Sequence, residues 1–534
     1  MKKIIYSLLG LGCMALTACD MNLEPEGTIV DTEALQSAQD CYQFRNSFYN
    51  NLRALSTGGY ISYTEMQMDN FIGTQLNGNR LGELNNGSFT SSTGDIESIW
   101  GGLYGGIADV NFFLGNVQTL LDDPNNNLQG DIIEVNRYVA EAHFTRAYFY
   151  FWLMDHFCPA YTEQNKDQRV GMPIVTVYNP TGDKSVYPER STLAETYKFI
   201  EDELKLAYDG LEEWQELADR QSDAVDSYSN TMKPMSSYLN TWVVKALQAR
   251  IALLKRDWNT AITLAQDVIN NGPYTLTRRM AYADMWTKDT SNELIFRPLS
   301  TATELGISST GSAWISTQRT LADYIPVPYV ATEGSQYLYD RVAADKDQDI
   351  KAQRDVRYTT FVTTRTLIVD GVNVKAPVFN KYPGNSALVQ SSPNLMNMAK
   401  PFRLSELYLI VAEAACEANQ PALANKYITD LRNERIQNYV AQDYSGDRLR
   451  QEVRKERLRE LIGEGFRMSD LRRWQVEWNR ADVNYPGYPG AGSITTPSGR
   501  AVVYQATDYR YIWPLPATEI QVNPKLNGQQ NPGY

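Results

Sequence analysis

Apolar residues recur at spacings of three and four along much of the chain, and this pattern predicts helices at 38–55, 96–121, 135–157, 242–254, 258–269, 402–418 and 421–436. Trp100, Tyr104, Ile107 and Asn111 share one such stripe, which places Trp100 in the core. Thr192 and Glu195 form the T-x-x-E capping box that opens a further helix. Several helices come in pairs. The 242–254 and 258–269 segments turn at Arg256-Asp257, with small Ala246, Ala249 and Ala261 where two helices would approach closely. The 402–418 and 421–436 segments have the same shape, with Pro421 suited to a first helical turn. Pairing 135–157 with 192–208 gives a third pair, so the rhythm is that of a tetratricopeptide-type array. Residues 274–399 break it: they are rich in Thr, Ser and Tyr, with short β-like runs at 361–369 and 374–379. The expected fold is mostly α, with tetratricopeptide-like helix-pair repeats (about 30–272 and 400–534) supporting an irregular, loop-rich subdomain with minor β (about 273–399). Trp286 sits in β-like surroundings and reads as core. The tail past Glu519, with Pro524 and Pro532, cannot be helical.

Charge changes this picture in the stretch 453–474. Leu458, Leu461 and Ile462 make only a short apolar stripe, and Arg457 stands where the stripe would continue. Glu456, Glu460, Glu464, Arg467, Asp470 and Arg473 alternate in sign at helical spacing. Charges on a buried face persist only when paired, so the stretch predicts an ion-pair network that locks two helices together. Its nine Lys/Arg against six Asp/Glu over 447–474 leave too small a surplus for a nucleic-acid patch.

Residues 1–18 read as a lipoprotein signal peptide: Lys2 and Lys3 precede a short apolar run that ends in Leu16-Thr17-Ala18-Cys19. Small residues before a cysteine suit a signal peptidase cleft, and the Cys19 thiol would take the lipid that anchors the mature body to a membrane. Loss of two lysines takes the formal charge from −13 to −15, since −13 − 2 = −15, which disfavours nucleic acid as a partner. Cys13 is removed with the signal and Cys19 is lipidated. Cys41, Cys158 and Cys416 remain, enough for one disulfide at most and with no C-x-x-C pair for zinc.

Candidate catalytic chemistry is sparse. The only histidines, His143 and His156, stand thirteen residues apart on one predicted helix, which suits packing better than a shared metal. Motifs of the G-x-S-x-G, H-E-x-x-H, Walker A and G-x-G-x-x-G types are absent. Asp345, Asp347 and Asp349 begin like a calcium loop, but Ile350 stands at the glycine position and Val356 at the bidentate glutamate. No metal or cofactor is expected. A glycosidase needs only two carboxylates, so that alternative stays open without a residue pair to name. A helical-repeat scaffold without a small ligand is the other alternative.

The chain does have what a glycan platform requires. It carries 34 Tyr, 16 Phe and 10 Trp, more than a core of this size needs, together with Asn-rich connections. Sugar C–H faces lie on aromatic planes, while Asn, Asp and Arg satisfy hydroxyls. The stretch 60–92, rich in Asn, Gly, Thr and Ser, reads as one long polar loop of functional kind, with Asp69, Asn70, Asn77, Asn79 and Arg80 in it. Trp314 lies in Gly311-Ser312-Ala313-Trp314, with no helical stripe to bury it. We therefore expect Trp314 as a stacking platform for a sugar ring, with Asp69, Asn70 and Arg80 fixing orientation.

A family resemblance adds to this reading. The run E-R-x-R-E-L-x-x-E-G-x-R-x-x-D-L-R-R-W from Glu456 to Trp474 resembles the C-terminal signature of SusD/RagB outer-membrane nutrient-binding lipoproteins. Further matches follow the family's order. They are the lipobox, the W-x-x-x-Y-x-x-I-x-x-x-N run from Trp100 to Asn111, and the set Ala140, Glu141, Arg146, Ala147, Tyr150 and Leu153. Arg403 to Ala414 matches next, and then the closing Glu519-Ile520, Asn523-Pro524 and Gln530-Asn531-Pro532-Gly533-Tyr534, with Trp-Pro-Leu-Pro in place of the usual opening. The resemblance implies a non-enzymatic, lipid-anchored, outer-membrane protein exposed at the cell surface. It would capture an oligosaccharide and deliver it to a SusC-like TonB-dependent transporter. It transfers no ligand residues, because those lie outside the family's recognisable motifs.

Overall fold

The computed structural model describes residues 34–534 apart from 77, 79, 127, 129, 219–225, 302–309, 317–319, 389–394 and 482; Cys19, Asn77 and Asn79 therefore lie outside the described residues. Helix α1 (Ala38–Ala54) is capped by Ser37, whose hydroxyl accepts from Asp40 N, and α2 (Gly58–Gln67) follows after a short turn. Then come strand β1 (Phe71–Gly73), α3 (Gly82–Asn86), α4 (Gly94–Asp122) and α5 (Ile132–Phe157). Helix α6 (Leu193–Leu217) opens on the expected capping box, Thr192 with Glu195. The pair α7 (Thr241–Leu254) and α8 (Trp258–Asn271) follows. Past the middle segment lie α9 (Leu404–Glu417), α10 (Pro421–Arg435), α11 (Gly446–Leu461) and α12 (Arg467–Trp474), and near the end α13 (Ala517–Val522).

The three helix pairs form as the periodicity predicts: α5 packs on α6, α7 on α8, and α9 on α10. Helix α9 also packs on α8, α7 and α11, so the array is continuous although residues 272–403 intervene in sequence. Trp100 and Trp286 are buried, and the aromatic face of α5 is buried almost throughout its C-terminal half.

The middle segment adds short strands. In it β2 (Leu294–Phe296) pairs with β6 (Phe402–Arg403), β3 (Tyr324–Pro326) with β1, and β4 (Val362–Val369) with β5 (Val372–Phe379). The last is a hairpin in register from Val362↔Phe379 to Val369↔Val372. Its turn is Asp370-Gly371, both at positive φ (49° and 79°), the dipeptide that closes a two-residue hairpin. Leu367, Val369, Ala376 and Val378 point into a second, smaller core with Ile315, Ile325 and Leu395.

The ion-pair network expected from 453–474 is present and larger than the stretch itself. Glu456 meets Arg357 Nη1 at 2.7 Å, Arg432 Nε at 2.6 Å and Arg459 Nη1 at 3.0 Å. Glu460 meets Arg403 at 3.0 Å, Arg435 at 3.0 Å and Arg357 at 3.1 Å. Glu464 takes Lys381 and Arg403, each at 2.6 Å, and Glu293 joins through Arg403 and Arg435 at 2.9 and 2.8 Å. Arg473 binds Glu413 through two nitrogens at 2.9 Å. All these groups are buried except Glu464, which is slightly exposed. Burial alone would push Glu456 and Glu460 up, but the surrounding guanidiniums outweigh it and hold both well below the usual carboxylate range. Lys381 is drawn down to about 8 by burial, against the pull of Glu464. The network joins α10, α11 and α9 to residues 293, 357 and 381 of the middle segment.

One expectation is corrected here. The stretch 60–92 is not a long polar loop: it carries α2, β1 and α3. Gln67, Asn85 and Glu65 are consumed internally. Gln67 Nε2 donates to Arg510 O at 2.7 Å, while its Oε1 accepts from Trp513 Nε1 at 2.7 Å. Asn85 donates to Met66 O at 2.5 Å, and Glu65 accepts from Gly465 N at 2.9 Å. With Ile61, Met66, Met68, Phe71 and Ile72 buried among them, these groups tie the segment to the C-terminal third.

Candidate functional site

Strand β1 is short and wholly apolar, Phe-Ile-Gly, and pairs antiparallel with Tyr-Ile-Pro of β3 so that Phe71 faces Pro326 and Gly73 faces Tyr324. That pairing brings the chain after β1 against residues 312–323. Arg80 is 45% exposed there and is ion-paired with Asp323. Its guanidinium also donates to Ala313 O at 3.3 Å, and its backbone carbonyl accepts from the Tyr324 hydroxyl. Alongside stand Tyr63 from α2 and Asp95 from the first turn of α4. Burial pushes the Tyr63 phenol up to about 12; the neighbouring Asp95 carboxylate adds to the shift and Arg80 opposes it. The Tyr63 ring lies over Gly59, where an added Cβ would stand 2.8 Å from the ring carbon that carries the hydroxyl. Asp323 is raised by burial, with Arg80 opposing.

The result is a solvent-facing cluster of one guanidinium, two carboxylates and a half-buried phenol. Guanidinium N–H groups donate in fixed directions, carboxylates accept, and the phenol can do either, which is the hydrogen-bonding set a polyol needs. Asp323 is held by Arg80, and Asp95 stands near the Tyr63 phenol.

Of the four residues singled out from the sequence, Arg80 alone stands in this cluster with an accessible side chain. Trp314 is buried, 1% exposed, and this corrects the expectation of an open stacking ring. Its ring stacks on Tyr382 at 5.9 Å and meets Phe379 at 4.9 Å and Phe71 at 5.5 Å. The small residues before it mark close packing rather than exposure: a Cβ on Gly311 would lie 2.3 Å from the Tyr382 carbonyl oxygen. Asn70 is buried too, its backbone carbonyl accepting from Val327 N at 2.9 Å. Asp69 is taken up by Arg467 through two contacts at 2.8 and 2.5 Å. All four lie around the β1–β3 seam; Trp314, Asn70 and Asp69 build it and Arg80 faces out. Tyr63, Asp95, Asp323 and Tyr324 were missed. Asp95 is legible only as a helix N-terminal acid, and nothing near Asp323 in sequence announces its partner.

The histidines are packed. His156 is buried and donates from Nδ1 to Trp152 O at 2.8 Å, and His143 Nδ1 lies 2.9 Å from Glu203. Cys41, Cys158 and Cys416 are unbridged. No group of three or more potential metal ligands occurs among the described residues.

Similarity to known proteins agrees with this architecture. Residues 329–534 match the model of the SusD family, and residues 31–226 match a SusD-like model described as starch-binding and associating with the outer membrane. Across 99% of this chain and 99% of the relative, the sequence is 24% identical to SusD-like protein P25 of Formosa agariphila. A SusD superfamily protein of Bacteroides thetaiotaomicron superposes with a TM-score of 0.71 at 24% identity, over 93% of this chain and all of that one. A SusD-like carbohydrate-binding protein of Bacteroides fragilis gives 0.67 at 20% identity, over 92% and 99% of the two chains. From its N-terminal helices to its final Tyr534, the chain belongs to the SusD family.

Proposed function

We propose that the protein is a lipid-anchored, surface-exposed glycan-binding component of the outer membrane that captures an oligosaccharide without cleaving it. The observation that carries this reading is the Arg80–Asp323 pair standing open to solvent beside Tyr63 and Asp95. These groups offer directional donors and acceptors to sugar hydroxyls, and the half-buried Tyr63 ring adds an aromatic surface. The carbohydrate-binding description of the Bacteroides fragilis relative supports the ligand class. The outer-membrane description of the matching family model supports the address. Cys19, in its Leu-Thr-Ala-Cys setting, is the residue we assign to lipidation. Delivery to a SusC-like TonB-dependent transporter is proposed from the family resemblance alone.

The test is incubation of the soluble body with a panel of oligosaccharides, following both retention and product. Saturable retention with the oligosaccharide recovered intact supports capture. Recovery of shortened sugars would make the protein a glycosidase, and retention of none would leave the scaffold reading.

A further inference from the structure

Away from the β1–β3 seam, the structure holds a cavity of about 440 Å³ between residues 173–188, Tyr104 of α4 and helix α13. Aliphatic side chains form much of its wall, Ile174, Val175, Val177, Val186 and Val522 among them, with Thr176, Asn179, Thr181 and Asn523 between them. Three of these valines face solvent to an unusual degree, Val177 at 67%, Val186 at 54% and Val522 at 52% exposure. Tyr104 and Tyr187 contribute rings, and their hydroxyls are committed to Pro173 O at 2.9 Å and Thr181 O at 2.8 Å.

One ionisable group lines this space. Glu519 is half-buried and its Oε2 accepts from Trp100 Nε1 at 3.2 Å. Its Oε1 receives no hydrogen bond and the carboxylate no Lys or Arg among the described residues. The nearby Lys525 ammonium is spent on Ser185 O at 2.8 Å. A half-buried carboxylate with only a neutral indole N–H for company is under-compensated, and burial raises its affinity for a proton. Volume, largely apolar walls and a few polar groups, of which Glu519 is the one carboxylate, are the ordinary features of a small-ligand pocket.

We propose that this cavity binds a small primary amine, its ammonium group on Glu519 Oε1 beside the Tyr104 and Tyr187 rings and its aliphatic body against Val177, Val186 and Val522. The cation supplies the charge the carboxylate lacks, tyrosine faces favour a cation over a neutral donor, and the valines reward an apolar chain over a hydroxylated one. The cavity shares no residue with the cluster around Arg80, so the proposal stands whether or not the glycan reading of that cluster holds.

The experiment titrates the full mature protein calorimetrically with n-pentylammonium and, separately, with n-pentanol, at constant ionic strength. The wild type should bind one pentylammonium saturably, and pentanol at least about tenfold more weakly, a ratio that one partly screened ion pair supplies. Glu519→Gln keeps the shape and an acceptor for Trp100, and should weaken pentylammonium by a similar factor. Val177→Trp, at an exposed position, should fill the cavity and abolish binding; unchanged circular dichroism confirms its fold. Absence of saturable binding to the wild type overturns the proposal. So does equal binding of the alcohol, or binding that survives Val177→Trp, which would mark a diffuse attraction to an acidic surface. Should Glu519→Gln fail to fold, the Val177→Trp and alcohol arms decide.

Discussion

At the scale of single residues, burial decides what a polar or aromatic side chain can do. Glu65 is fully buried with one hydrogen bond, from Gly465 N, and burial lifts its carboxyl to about 7 from an ordinary 4.5. The folded protein therefore holds this proton more tightly than the unfolded chain. Its contribution is fully present below about pH 4.5 and is lost as pH rises through about 7, to a total on the order of 3 kcal/mol. Glu65→Gln keeps an acceptor without the charge, so it should stabilise the protein at pH 8, have little effect at pH 4, and flatten the denaturation profile between them. Trp314 makes the same point for an aromatic. Its small-residue context gave no periodic stripe by which to recognise burial, because Phe71, Phe379 and Tyr382 reach it from distant segments. Trp314→Ala should cost about 3–5 kcal/mol in a urea melt. A glycan-binding defect with undiminished stability would instead return the ring to the binding surface.

At the scale of elements, what was legible followed from local pattern. The α7–α8 and α9–α10 pairs are visible in their own spacing, and β4 and β5 as two β-like runs, whose pairing across Asp370-Gly371 the structure adds. Helix α11 is the instructive case, since it is largely polar and Glu452, Glu456, Arg457, Arg459 and Glu460 on it are nonetheless buried. Alternating charges along 453–474 announced pairing, but the identities of the partners, Arg357, Lys381, Arg403 and Glu293, come from other elements and could not be read locally. The α2–β1–α3 segment failed for the same reason: Gln67, Glu65 and Asn85 look like loop residues until Arg510, Trp513 and Gly465 are placed beside them. Removing one member of a buried network leaves the others uncompensated. Glu460→Gln, which removes the one carboxylate shared by Arg435, Arg403 and Arg357, should destabilise by about 3–5 kcal/mol. Exposed pairs such as Lys198–Asp202 should contribute under about 1 kcal/mol when broken. Comparable losses at both places would show that the network is no more than surface charge.

At the scale of the whole molecule, a helical array carries an irregular segment, and the seam between them holds the exposed cluster. A mature body of formal charge −15, from −13 − 2, has little attraction for an anionic membrane face, so attachment should depend on the lipid proposed at Cys19. Cys19→Ala should move the protein out of the membrane fraction, and unchanged retention would refute the anchor. The central claim is that Arg80 and its neighbours bind glycan. Arg80 is exposed and paired only at the surface, so Arg80→Ala should leave the melting temperature nearly unchanged. The most direct measurement is therefore affinity electrophoresis of wild type and Arg80→Ala in gels containing a glycan that retards the wild type. Loss of one charge-assisted set of hydrogen bonds, about 1.5–3 kcal/mol, should reduce retention roughly ten- to a hundredfold at equal stability. Retention identical in the two proteins would contradict the account and place the glycan elsewhere.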